Sequence, residues 1–332
     1  MQLRKFNNLI DLLTFFKDEQ VCRDYLELSR WGDQLACPYK DCQSHNIYKY
    51  ESGKLYKCNK CMRKYSVRVG TMFEDSKVPL SKWFAAIYLI TAHKKGVSSL
   101  QLQRDLGITQ KTAWFLSHRI RKQLGLDLSA DKFTGVVEAD ETFMGGKEGN
   151  KHKSKRTKDT QGRSTATKTP VLGVIERGGK VRTRKAIDTS SKSINPFILA
   201  NVALGSEVKT DEWFGYNRLA SVYQHTRVNH SSGEYVIGDT HTNNIEGFWS
   251  QLKRSVYGCY HSVSAKHLQQ YADESAFRYN TRKHSESGRF DYFLSIATTH
   301  ITYKQLIQSH DINTTAIKPY REVGTQQSLF GE

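Results

Sequence analysis

Three acids stand where their chemistry can be shared. Asp140 closes the run VVEAD, Asp211 follows 71 positions later at the end of VKTD, and Glu246 comes 35 positions after that, in NIEGFWSQLKR. The first two runs read as strands and the third as a helix. Carboxylates drawn together from two strands and a helix can hold a pair of divalent metal ions, which activates a water or a 3′-hydroxyl against a phosphodiester. An acid within an apolar strand is costly unless paired or metal-bound, which favours this reading for Asp140 and Asp211. Strand alternation puts Glu138 and Asp140 on one face and Glu141 on the other, and the same adjacency of acids recurs at Asp211 and Glu212. On the helix, Glu246 and Lys253 lie nearly two turns apart and share a face, while Ile245, Trp249, Leu252 and Val256 make an apolar stripe. Glu246 carries a second reading: with Asn243 as N-cap it completes a capping box, which needs no catalysis.

A second constellation is Cys37-x4-Cys42-x15-Cys58-x2-Cys61. Two close thiol pairs around a hairpin-length insert suit tetrahedral Zn(II), and with four protein ligands the ion is structural. So small a segment has little core, so metal binding supplies most of its folding free energy. The other cysteines, Cys22 and Cys259, lie outside this window, and six in 332 residues do not make a disulfide scaffold. Cys22 reads as small core filler.

The elements that must position these groups fall into two parts. Residues 1–34 carry two short amphipathic helices, 35–78 the ribbon of short hairpin strands, and 79–128 further helices, with Ser81 as a candidate N-cap. Within the last, SSLQLQRDLG and ITQKTAWFLSHRIRK flank Gly107 as a helix–turn–helix, and the second helix is expected to offer Gln110, Lys111, Trp114, Arg119 and Arg121 on an outer face. From residue 129 the pattern turns to strands: GVVEADETF, PVLGVIERG, KVRTRKAID, SEVKTDEW and EYVIG. A helix is expected over Asn195–Leu204, a short one at YNRLAS, and more over 243–281. Residues 129–285 thus read as an α/β domain with a mixed sheet flanked by helices, and 286–332 as a C-terminal helix and polar tail. Between the first two strands lies a basic insert, 147–168, with eight Lys or Arg against two acids. It reads as a solvated loop, or, hanging after Asp140, as a clamp on backbone phosphates through Lys151, Lys153, Lys155 and Arg156.

A net charge of +17 with pI near 9.5 points to a polyanionic partner. The mean hydropathy of -0.62 and the lack of a long apolar run argue against a membrane span, and the N-terminus shows no cleavable signal pattern, so a soluble intracellular protein is expected.

The motifs CPYKDC…CNKC, GTMFEDSKVPLSKW, VEADETFMGGK, VKTDEWFGY, HTNNIEGFWSQLKR and YADESAFRYNTR together resemble bacterial insertion-sequence transposases that carry an N-terminal zinc ribbon and a DDE-type, RNase H-like core, a core shared with eukaryotic Merlin-type relatives. The resemblance implies that Asp140, Asp211 and Glu246 hold two Mg(II) or Mn(II) ions, with Lys253 as the associated basic residue and Asn243 as second choice for the third position. It further implies one structural Zn(II), DNA as partner (terminal inverted repeats and target), Arg254 on the DNA backbone, at least a homodimer, and a cytoplasmic, nucleoid-associated setting in a prokaryote. Two rival readings are a regulatory DNA-binding protein that does not cut, and a metal-dependent nuclease of the same fold.

Overall fold

The computed structural model describes residues 5–126, 131–146, 148–157, 164–228 and 241–307. The expected strand EYVIG and the polar tail from Ser309 lie outside the described residues, as does part of the basic insert. The chain divides into two compact units, Met1–Leu128 with Thr281–Gln308, and Ser129–Asn280 with Ser309–Glu332.

The first unit opens with helices α1 (Leu9–Phe15) and α2 (Glu19–Trp31), followed by an antiparallel three-stranded sheet of β1 (Ile47–Lys49), β2 (Tyr56–Cys58) and β3 (Lys64–Tyr65). Helices α3 (Leu80–Ala92), α4 (Ser99–Leu106) and α5 (Gln110–Leu124) complete the N-terminal part. Pro79, not Ser81, precedes α3, and the Leu80 N–H is capped from a distance by the Glu19 carboxylate at 2.9 and 3.0 Å. Gly107 turns α4 into α5 in the left-handed conformation (φ 56°), which a residue with a Cβ adopts only with strain.

Against expectation, the second half of α5 is interior. Arg119 and Arg121 are buried, and the Arg119 guanidinium donates to the carbonyls of Met72 and Glu74, both at 3.0 Å. The reading of these two arginines as groove-facing is therefore corrected. Gln110 and Lys111, in the first turn, are exposed as expected.

The core of this unit is closed by the chain's far end. Later in sequence, α9 (Glu286–Ile296) and α10 (Tyr303–Ile307) return to it. Phe290 packs against Phe6, Phe16 and Phe84 with ring centroids 5.3 to 5.8 Å apart. Asp291 accepts from the Tyr25 hydroxyl at 2.5 Å, and Tyr303 stacks on Phe115 of α5 at 4.7 Å.

Among the described residues, the second unit is built on a five-stranded mixed sheet in the order β6-β5-β4-β7-β8. Its strands are β4 (Val136–Met144), β5 (Thr169–Glu176), β6 (Val181–Lys185), β7 (Glu207–Thr210) and β8 (Gln224–Arg227). The first three pair antiparallel; β7 runs parallel to β4, and β8 parallel to β7. Helix α6 (Ser191–Asn201), earlier than the expected 195–204, and a 3₁₀ segment at Phe214–Ser221 cover one face, where Val137, Ala139, Val174 and Val208 are buried. The other face, with Val171 and Ile175, is covered by α7 (Asn243–Ser255), a π turn at Val256–Tyr260, and α8 (Leu268–Asn280). On α8, Gln269 and Asn280 stand three turns apart and pair with the outer edge of β6, accepting from the N–H groups of Lys185 (2.5 Å) and Val181 (2.8 Å) and donating to the carbonyls of Thr183 and Val181. Side-chain amides thus occupy an edge that would otherwise recruit another strand.

Candidate active site

The thiol constellation closes as its spacing implies. The sulfurs of Cys37, Cys42, Cys58 and Cys61 lie within 4.8 Å of one another, with Cys37 to Cys61 at 3.8 Å and Cys42 to Cys58 at 3.6 Å. A tetrahedral ion with Zn–S bonds of about 2.3 Å needs sulfurs roughly 3.8 Å apart, so the set fits zinc. Each knuckle ends in the same local turn despite its different length. The residue after the second cysteine, Gln43 or Met62, has φ of 50° or 62°, and its N–H returns to the carbonyl four residues back. The Arg63 N–H lowers the Cys61 thiol to about 6, whereas burial pushes Cys37 up to about 12.

The carboxylates converge at the end of the parallel strand pair. Pairing of β4 with β7 stops at Glu138 opposite Lys209, so β4 runs on beyond it, while Asp211 immediately follows β7. Asp140 leans toward α7 and accepts from the Trp249 indole N–H at 3.0 Å. Glu141 leans to the opposite face and accepts from the buried Tyr216 hydroxyl at 2.7 Å. Even so, one oxygen each of Asp140, Glu141 and Asp211 lie within 4.8 Å of one another. Asp211 is further fixed by the Trp213 N–H at 3.0 Å. Burial first, then the charges of Glu141 and Asp211, push Asp140 up to about 8. Such a gathering of acids fits a divalent cation, whose charge removes the mutual repulsion.

Two residues hold α7 to this site: Glu138, which the sequence placed on the face of Asp140 without a role, and Gly173, which it did not single out. Glu138, fully buried on β4, accepts from the backbone N–H groups of Asn244 (3.0 Å) and Ile245 (3.1 Å), from the Asn244 side chain (2.7 Å), and from Arg177 (3.0 Å). A carboxylate on the first-turn N–H groups neutralises unpaired donors and matches the positive end of the helix dipole. Gly173 pairs with Asp140 across β4 and β5, and a Cβ there would lie 2.5 Å from the Trp249 ring. Its missing side chain leaves the space that the indole occupies as it reaches Asp140. A glycine inside the apolar run PVLGVI is the signal that marked this close approach.

The remaining candidates take the following places. Glu246 is exposed in the first turn of α7, outside the group of three gathered acids, and accepts from the Thr242 hydroxyl at 3.0 Å. Thr242, not Asn243, is the N-cap, and Asn243 is exposed at the first helical position. Glu246 is nonetheless one turn from Trp249, the residue that touches Asp140. Lys253 and Arg254 are exposed in the last turn. In the insert, Lys151, Lys153, Lys155 and Arg156 are exposed, and Arg156 braces its own loop through the carbonyls of Lys151 (3.0 Å) and Gly149 (2.6 Å).

Comparison with known proteins accords with this arrangement. Residues 132–280 match the ISXO2-like transposase domain, and residues 17–64 match the transposase zinc-ribbon domain. An uncharacterized protein in transposable element ISH50 of Halobacterium salinarum is 31% identical over 252 residues, covering 72% of this chain and 83% of that protein. No solved structure matches the chain. The chain belongs to the insertion-sequence transposases with an N-terminal zinc ribbon. Among the described residues, no helix is long and apolar enough to cross a membrane.

Proposed function

We propose that this transposase cuts DNA at the ends of its element and joins the released 3′-hydroxyl to target DNA. The observation that carries the reading is the convergence of Asp140, in mid-β4 just past its pairing with β7, and Asp211, just past the end of β7, in a chain of this family. The strand order, with three antiparallel strands followed by two parallel ones, supports an RNase H-like core. Magnesium or manganese held there would supply an activated water or hydroxyl and neutralise charge at the phosphate.

The chain's own residues divide the remaining work. Asp140 and Asp211 are the fixed ligands, held by Trp249 and by the Trp213 N–H. Glu246, one turn from Trp249, would complete the set with Asp140 and Asp211, and Glu141 stands behind as a buried fourth carboxylate. Lys253 approaches the substrate phosphate from the Glu246 face. Positioning and charge neutralisation dominate phosphoryl transfer. The exposed Gln110, Lys111, Lys151, Lys153, Lys155, Arg156 and Arg254, with the ribbon, bind the inverted repeats and the backbone. Two ends joined in one event require at least a homodimer.

The test is purified protein with DNA carrying the element's ends and Mg(II) or Mn(II). Cleaved and joined products are expected. Joining absent but cutting present would make the protein a nuclease, and binding without cutting would make it a regulator. Asp211→Asn is expected to lose cutting by on the order of 10²–10³-fold or more while end binding persists. Glu246→Gln is expected to lose far more cutting than Glu141→Gln; the reverse order would give the third position to Glu141.

A further inference from the structure

Immediately beyond the acids, a large aromatic ring is turned outward. Phe214 is 60% exposed, three residues after Asp211. Its backbone is not loose. The Trp213 N–H binds the Asp211 carboxylate at 3.0 Å, and the Trp213 indole donates to the Thr189 carbonyl at 2.9 Å. The Trp213 ring lies against Phe214 with centroids 4.1 Å apart, and a Cβ at Gly215 would meet the indole at 2.8 Å. The chain therefore fixes the Trp213 ring against Gly215, and beside that ring stands a phenylalanine that is mostly exposed. Phe214 opens a 3₁₀ segment, in which side chains three apart eclipse, and the residue in register with it is Asn217, also exposed. A stacking surface and an amide thus stand side by side. The amide can both donate to and accept from the edge of a heterocycle.

Resting on the DNA-cutting reading above, we propose that Phe214 and Asn217 form a binding site for a nucleobase unstacked from the duplex beside the cut phosphate. Three residues of chain reach at most about 11 Å between Cα atoms, so the ring lies within a few base steps of a phosphate held at the acids. Phe214 stacks on the base and Asn217 pairs with its edge. Removing that base from the helix bends the neighbouring phosphate toward the carboxylates, and unpairing is easiest where the base is already mismatched.

The test uses the full chain and duplexes of the element's end with 2-aminopurine placed in turn at each of the three positions either side of the cut. With Ca(II) as the ion, the wild type is expected to change the fluorescence at one position, and Phe214→Ala to abolish that change. In Mg(II), Phe214→Ala is expected to cut the paired duplex roughly five- to a hundred-fold more slowly, the scale of one lost base–aromatic stack. A substrate mismatched at that position is expected to restore most of the rate, as is Phe214→Trp on the paired duplex. Equal losses on paired and mismatched DNA, or no fluorescence change with an active wild type, would overturn the site. A wild type that cuts neither substrate would instead overturn the DNA-cutting reading on which the site rests.

Discussion

The ribbon and the acid site both gather metal-binding groups within 4.8 Å, but they are built in opposite ways. The four thiols come from a single stretch, Cys37 to Cys61, and each pair is set by its own short turn. The acids come from neighbouring strands, with Asp140 and Asp211 71 positions apart, and their geometry depends on Glu138, Gly173 and Trp249, none of which need touch an ion. A shell of four thiolates leaves no position for a substrate, whereas three carboxylates leave several. In the closed site metal binding would be spent on folding; the open one sits in a sheet with its own core, and a cation held there would keep positions for other ligands.

The two sites are expected to differ most on metal removal. Chelation of zinc, or Cys58→Ser, is expected to unfold residues 37–65 and release one zinc per chain, since metal binding and folding of so small a segment are one event. Zinc release with a colorimetric chelator, together with proteolysis across the ribbon, reads this directly. Chelation of magnesium is expected to leave the sheet of the second unit protected. Magnesium-dependent protection of that sheet as large as the zinc effect would erase the distinction.

The scaffold of the acid site is the next target. Gly173→Ala is expected to force Trp249 off the sheet, because a methyl at 2.5 Å from the ring cannot be absorbed by small shifts. Overpacking of this kind costs about 1–3 kcal/mol, read as a lower Tm, with loss of the indole bond to Asp140. Gly173→Ala combined with Trp249→Phe relieves the clash only in part, and the Asp140 bond stays lost. An unchanged Tm in the single variant would show that the sheet, and not the glycine, sets the place of α7.

The same contrast explains what the sequence disclosed. Local spacing announced the thiols, and strand alternation placed Asp140 and Glu141 on opposite faces, as found. The third acid was less legible, because Glu246 at a helix start reads equally as a cap, and its carboxylate does accept from the N-cap Thr242. Arg119 and Arg121 misled, because the core that buries α5 is closed partly by α9 and α10, more than 160 positions later in the chain. Strand β8 was missed because QHTR is short and polar, and only its parallel pairing with β7 makes it a strand. Glu138 required knowing that the first turn of α7 ends on β4, a register that no single element carries.

The smallest expected effect concerns charge. Asp140, raised to about 8 by burial and by its acidic neighbours, binds a proton more tightly in the folded chain than unfolded. Its contribution to stability is therefore fully present below the ordinary carboxylate value near 3.8, falls as pH rises toward 8, and levels off above that. Asp140→Asn removes the ionisation and is expected to raise the Tm of the metal-free protein at pH 8 by on the order of 5 °C, with little effect at pH 4. A cation competes with the proton, so saturating Mg(II) is expected to stabilise the wild type more at pH 8 than at pH 6, and to do little for Asp140→Asn. The thiol site moves the other way on losing a ligand, since Cys58→Ser removes the metal that folds it. Loss of one ligand group that stabilises the acid site but unfolds the thiol site would mark the first as strained and the second as built for structure.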